Sequence, residues 1–68
     1  MGSIARITEI SATSEESFEH AIATGVKRAS ETLRNVKSAW VKEQQVKVDD
    51  GRISEYQVNL LVTFVLES

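Results

Sequence analysis

Trp40, Gln44 and Gln57 are the side chains best suited to holding a ligand. The indole offers a broad π surface, and each primary amide carries both a donor and an acceptor. Brought together on one surface, they would suit a flat aromatic molecule stacked on its face and hydrogen-bonded at its edge. The same residues also fit a plain structural account: a lone Trp in a small chain packs in a core or interface, and strand glutamines bond to neighbours or water. Other chemistry is poorly supplied. His20 falls on the polar side of a helical pattern, and no Ser or acid stands at a spacing that makes it a catalytic partner. Asp49 and Asp50 precede a glycine and read as turn formers rather than as cation ligands. Lys37, Lys42 and Lys47 read as solvated or salt-bridged positions on a strand edge rather than as a phosphate site. No catalytic residue and no metal ligand is expected.

The elements that must position these residues are legible in the pattern. Asp50-Gly51 separates two runs rich in β-branched and apolar residues, and Asp-Gly is a strong signal for a type I′ hairpin turn, which needs positive φ at both central residues. A two-residue loop pairs Asp49 with Arg52, and counting back sets Gln44 opposite Gln57 and Trp40 opposite Leu61. In that register Trp40, Lys42, Gln44 and Val46 share a face with Gln57, Asn59 and Leu61. In the last run Tyr56, Val58, Leu60, Val62, Phe64 and Leu66 alternate with a second set that mixes Ile53, Leu61 and Val65 with polar residues.

Upstream, Ile4 to Ile10 reads as a first strand. Ser14 followed by Glu15 and Glu16 reads as a helix N-cap with acids in the first turn. Phe18, Ala21, Ile22, Gly25, Val26, Ala29 and Leu33 then recur at helical spacing, opposite Glu16, His20, Thr24, Lys27, Glu31 and Arg34. Helix closure is expected near Arg34-Asn35, because Asn tolerates the left-handed conformation. The order is strand, long helix, strand, strand: an α+β fold in which one helix covers one face of a three-stranded antiparallel sheet, as a single domain over residues 1–68.

Composition narrows the function. A chain of 68 residues without cysteine buries too little surface to be comfortably stable alone and has no disulfide to compensate. An exposed sheet face that is not polar throughout therefore points to a homo-oligomer. Eight basic and ten acidic side chains, scattered along the chain for a net charge of −2, argue against a nucleic-acid partner. No apolar stretch approaches membrane-spanning length, so a soluble protein of the cytoplasm, without a membrane partner, is expected.

Several segments carry a resemblance that runs nearly the length of the chain. They are Glu9-Ile10 leading into Thr13-Ser14, then Ser17-Phe18-Glu19 and Ala21, Arg28-Ala29-Ser30, and Thr32-Leu33-Arg34-Asn35 with Val36. The hairpin adds Val48, Asp50-Gly51, Tyr56-Gln57-Val58, Val62 and Phe64. In these the chain resembles the dodecins, small flavin-binding proteins. The resemblance implies a β-α-β-β fold whose sheet partly wraps the helix, assembled with copies of itself as a hollow homododecamer in the cytoplasm. It further implies storage and photoprotective sequestration of flavin, riboflavin or FMN, in pockets at subunit interfaces. There Trp residues of strand two sandwich the rings and a Gln of strand three bonds their edge.

Carried onto this chain, Gln57 falls on the flavin-contacting Gln. Ser38 stands where the stacking Trp is usual, with Trp40 two residues later, and Gln45 stands where some members have a basic residue. The expected cofactor-contacting set is Ser38, Trp40, Glu43, Gln45 and Gln57. The alternative is an assembly of the same shape that lacks tight flavin binding and takes another ligand, such as a metal ion or coenzyme A.

Overall fold

The computed structural model describes residues 2–66; Met1 and positions 67–68, the two ends of the expected 1–68 unit, lie outside the described residues. The order is β1 (Ala5–Ser14), α1 (Phe18–Thr32), β2 (Val36–Asp49) and β3 (Arg52–Val65). The strands form one sheet in the order β1-β3-β2, with both outer strands antiparallel to β3. This is the β-α-β-β arrangement expected from the pattern.

β3 lies at the centre because its alternating apolar residues can be covered on one face by the helix and paired along both edges. Val58, Leu60 and Val62 are fully buried, and with Ala21 and Ala29 of α1 they form the core. Gly25 sits where the two layers come closest. A Cβ built there would lie 3.0 Å from Leu60 Cδ1 and 3.1 Å from the Ala12 Cβ. The helical stripe of small residues thus lets α1 settle onto β1 and β3. Phe18 and Tyr56 pack edge to face, with ring centroids 5.1 Å apart, and fix the first helical turn over β3.

Element ends depart from the sequence reading in three places. β1 runs on to Ser14 rather than stopping at Ile10, because β3 supplies partners as far as Tyr56. The helix N-cap is Ser17, whose hydroxyl accepts from His20 N at 2.9 Å, and not Ser14. Glu15 and Glu16 therefore precede the helix, and Glu19 is the acid of its first turn. At the other end α1 closes at Thr32, with Leu33 N donating to Ala29 O at 2.8 Å. Asn35 does adopt the left-handed conformation (φ 60), but it turns the chain into β2 instead of closing the helix.

The hairpin turn has positive φ at both Asp50 (φ 53) and Gly51 (φ 74), as Asp-Gly predicts. Beyond Tyr56 the hairpin loses β1 as a neighbour and continues as a two-stranded arm, giving the molecule extents of 53 × 19 × 13 Å. Val48 and Ile53 pair with each other on this arm. Ser54 is an extra residue in β3 that reverses the expected alternation, so Ile53 lies on the helix side of the sheet and not among the mixed set. Val48 is 64% exposed and Ile53 53% exposed.

Candidate functional site

The sheet face turned away from α1 carries the expected ligand-contacting residues; of three irregularities in the β2–β3 pairing, one lies at the start of β2 between Val36 and Ser38 and the other two determine which residues face outward. The Ser54 bulge sits between the Lys47–Glu55 and Val48–Ile53 pairs. A second bulge, in β2 between Val41 and Glu43, makes Lys42 the extra residue. Each bulge reverses alternation, and because they lie on opposite strands they cancel in the residue count. Trp40 accordingly pairs with Leu61 as the loop length predicts, while between the bulges the pairing is shifted by one.

That shift corrects the central expectation. Gln44 pairs with Val58, a core residue, and Val46 pairs with Tyr56, so both belong to the helix side. Gln45 and not Gln44 stands opposite Gln57. Lys42 does project onto the outer face, where its Nζ reaches Glu9 of β1 at 3.2 and 3.4 Å, across the central strand.

A chain of hydrogen bonds organises this half of the face. Gln45 Nε2 donates to Gln57 Oε1 at 2.9 Å, and Gln57 Nε2 donates to Ser11 Oγ at 2.9 Å. Asn59 Nδ2 donates to Glu43 Oε1 at 2.9 Å. Glu43, Gln44, Gln45, Gln57 and Asn59 line a cavity of about 110 Å³. The remaining hydrogen-bonding capacity of each amide, and Glu43 Oε2, are available to a polar ring edge or a hydroxyl.

Trp40 and Ser38 lie outside the cavity, toward the opposite end of the face. Trp40 is 57% exposed, an unusual state for the largest apolar side chain of the protein. Its neighbours on this face follow from the register: Leu61 and Glu9 in the same row, then Ser38, Thr63 and Ile7 in the next. Among the described residues, Thr63 Oγ1 is a buried side-chain atom without a hydrogen-bond partner. The face is thus divided, with an amide-rich half around Gln57 and a mixed half in which Trp40, Leu61 and Ile7 lie among Glu9, Ser38 and Thr63.

Ser11 is a member of the hydrogen-bonded chain that sequence reading missed, because a run of small polar residues looked like a connection. The signal was present: Ile10 and Ala12 alternate with Ser11 and Thr13 in the two-residue period of a strand. His20 is the second miss. Ser14 Oγ lies 2.8 Å from His20 Nδ1 and also accepts from Glu16 N at 2.9 Å and Ser17 N at 3.4 Å, while Glu16 Oε2 lies 3.2 Å from His20 Nε2. Ser14 Oγ thus joins two backbone N–H groups of the turn to one ring nitrogen of His20, whose other nitrogen faces Glu16. Ser14 is buried and already engaged as the hinge of the β1–α1 turn, so the cluster secures that turn.

Among the described residues no three acids or histidines gather as a metal-binding group, and no helix is long and apolar enough to cross a membrane. The remaining ion pairs, Lys47 with Glu55 at 3.0 Å and Arg28 with Glu31 at 3.7 Å, are surface contacts that contribute little to stability.

Comparison with known proteins agrees with the architecture. The dodecin family model matches residues 4–67. A dodecin of Thermus thermophilus is 40% identical over 67 residues, covering 98% of this chain and 97% of the relative. The structure of a dodecin from Streptomyces davaonensis superimposes with a TM-score of 0.92 at 37% identity, with both chains fully covered. A second similar structure, of a calcium-chelating antigen of Mycobacterium tuberculosis described as a calcium dodecin, has a TM-score of 0.81 at 35% identity and covers 96% of this chain and 93% of its own. Matched from end to end in sequence, strand order and helix placement, the chain belongs to the dodecin family.

Proposed function

We propose that this protein binds flavin, riboflavin or FMN, and stores and shields it from light within a homododecameric shell, without turnover. The observation that carries this reading is the Lys42 bulge, which sets Trp40 on the same face as the Gln45–Gln57 amide pair. An exposed indole suits the face of a flat ring, and amides with both donors and acceptors suit its polar edge. The residues on the outer face therefore fit the group, with Trp40 as the stacking surface and Gln57, positioned by Gln45 and Ser11, as the edge contact. A bound flavin would bring its own light absorption and redox chemistry. The chain's part is to hold the ring, cover it from water and keep its edge hydrogen-bonded.

Leu61, beside Trp40, is separated from Gln57 along β3 by about 13 Å at roughly 3.3 Å per residue. That span favours a site completed by a second copy, one supplying the indole and another the amides. The exposed apolar residues Ile7, Trp40, Val48 and Ile53 favour such an assembly.

A second reading is favoured by Ser38, which sits in the row of Thr63 with a side chain too small to stack. In it the shell persists, tight flavin binding is lost, and another ligand such as a metal ion is taken. Titration of riboflavin fluorescence with purified protein, with particle mass measured by light scattering on the same sample, separates the two. Quenching at stoichiometric protein in a particle of about twelve chains supports flavin storage. A particle of that size without quenching at micromolar protein would sink tight flavin binding and favour the second reading, for which calorimetric titration with calcium is the next test.

A further inference from the structure

The cavity beside Gln57 has an uneven charge. Three primary amides on the outer face, those of Gln45, Gln57 and Asn59, accompany one ionisable side chain, Glu43. The two cations nearest along β2 are already matched: Lys42 holds Glu9 at 3.2 Å, and Lys47 holds Glu55 at 3.0 Å. Glu43 has an amide for a partner instead of a cation, accepting from Asn59 through Oε1. The unmatched charge at the cavity is therefore negative.

We infer that this cavity selects a neutral, hydroxyl-rich ligand over a phosphorylated one, with Glu43 as the discriminating residue. The inference rests on the flavin reading above and deepens it: the chain holds riboflavin in preference to its phosphate ester. Hydroxyl groups can donate to Glu43 Oε2 and both donate to and accept from the amides. A phosphate monoester carries a charge of about −1.5 to −2 at neutral pH and offers mainly acceptors, which meet the carboxylate as like charge and acceptor against acceptor. At a solvent-facing site this repulsion amounts to about a tenfold difference in affinity. It is also screened by salt, whereas a difference in shape or hydrogen bonding is not.

The test is a titration of the assembled particle with riboflavin and with FMN, at low and at high ionic strength, for the natural protein and for Glu43→Gln. Glutamine keeps an acceptor for Asn59 and removes only the charge. The expected result is about tenfold tighter binding of riboflavin at low salt, with the ratio falling toward one at high salt and in the variant. Equal or tighter binding of FMN by the natural protein at low salt would overturn the selectivity while leaving flavin binding in place. A ratio unchanged by Glu43→Gln would remove Glu43 from the role. Failure of both ligands to bind would defeat the flavin reading itself, and this inference with it.

Discussion

Trp40 and Glu43 stand on the same face of the sheet although they are three positions apart along β2, because Lys42 is an extra residue in the ladder. In a regular strand positions 40 and 43 point to opposite faces. Deleting Lys42 leaves Trp40 and Glu43 as alternate residues of a regular strand, on the same face and with the same partners on β3. The expected outcome is that riboflavin quenching and the indole emission maximum are retained, with only the Lys42–Glu9 ion pair lost. Loss of quenching in a particle of normal mass would mean that Lys42 or the local shape of the bulge, beyond the face it selects, is needed by the site.

Gln57 is fixed at both ends of its amide, accepting from Gln45 and donating to Ser11. Replacing it by Ala removes the edge contact together with the group that aligns Gln45. A hydrogen bond contributes about 0.5–1.5 kcal/mol net. Flavin affinity is expected to fall roughly threefold to tenfold, with particle mass unchanged. An affinity equal to that of the natural protein would take Gln57 out of the site.

Gly25 is expected to resist substitution for packing reasons rather than conformational ones. Alanine gains about 1 kcal/mol of helix propensity. Its Cβ, however, meets Leu60 Cδ1 at 3.0 Å and the Ala12 Cβ at 3.1 Å; Leu60 is fully buried, and the Ala12 Cβ moves only with the backbone of β1. Overpacking of this kind costs about 1–3 kcal/mol. Gly25→Ala should lower the denaturation midpoint by a net loss of up to about 2 kcal/mol. A raised midpoint would show that α1 lifts from the sheet at little cost.

Ser14 should matter to stability more than its size suggests. Its hydroxyl accepts from Glu16 N and Ser17 N and binds His20, so Ser14→Ala leaves the N–H groups of the β1–α1 turn without that acceptor. A loss of about 1–2 kcal/mol is expected in chemical denaturation, with flavin binding retained because the turn lies outside the ligand-facing residues. Loss of binding in a particle of normal mass and stability would instead tie His20 to the ligand.

The parts of this protein that could be read from sequence are those governed by neighbours along the chain. Asp50-Gly51 specifies its turn because both residues accept positive φ wherever they occur. Phe18 through Ala29 specify a helix because their spacing makes one apolar stripe, and Val58, Leu60 and Val62 specify a buried face because they alternate. The features that only the tertiary structure decided are those in which one strand answers to another. Ser11, Ala12 and Ser14 carry little strand preference of their own, and the faint alternation through Thr13 becomes a strand because β3 runs alongside.

Lys42 and Ser54 carry no residue signature of a bulge; each is left over from the ladder by the register that the two strands adopt on either side of it. Val41, Gln44, Val46 and Val48 must meet Leu60, Val58, Tyr56 and Ile53 on the helix side, and no unbroken alternation of β2 does this. The chain meets this pattern with Lys42 as an extra residue in β2 and Ser54 as one in β3, which keeps Val41, Val46 and Val48 on one face although each remains exposed. The composition of the outer face, with Gln45 in place of Gln44 opposite Gln57, is a consequence of that register and has no local signal in the sequence.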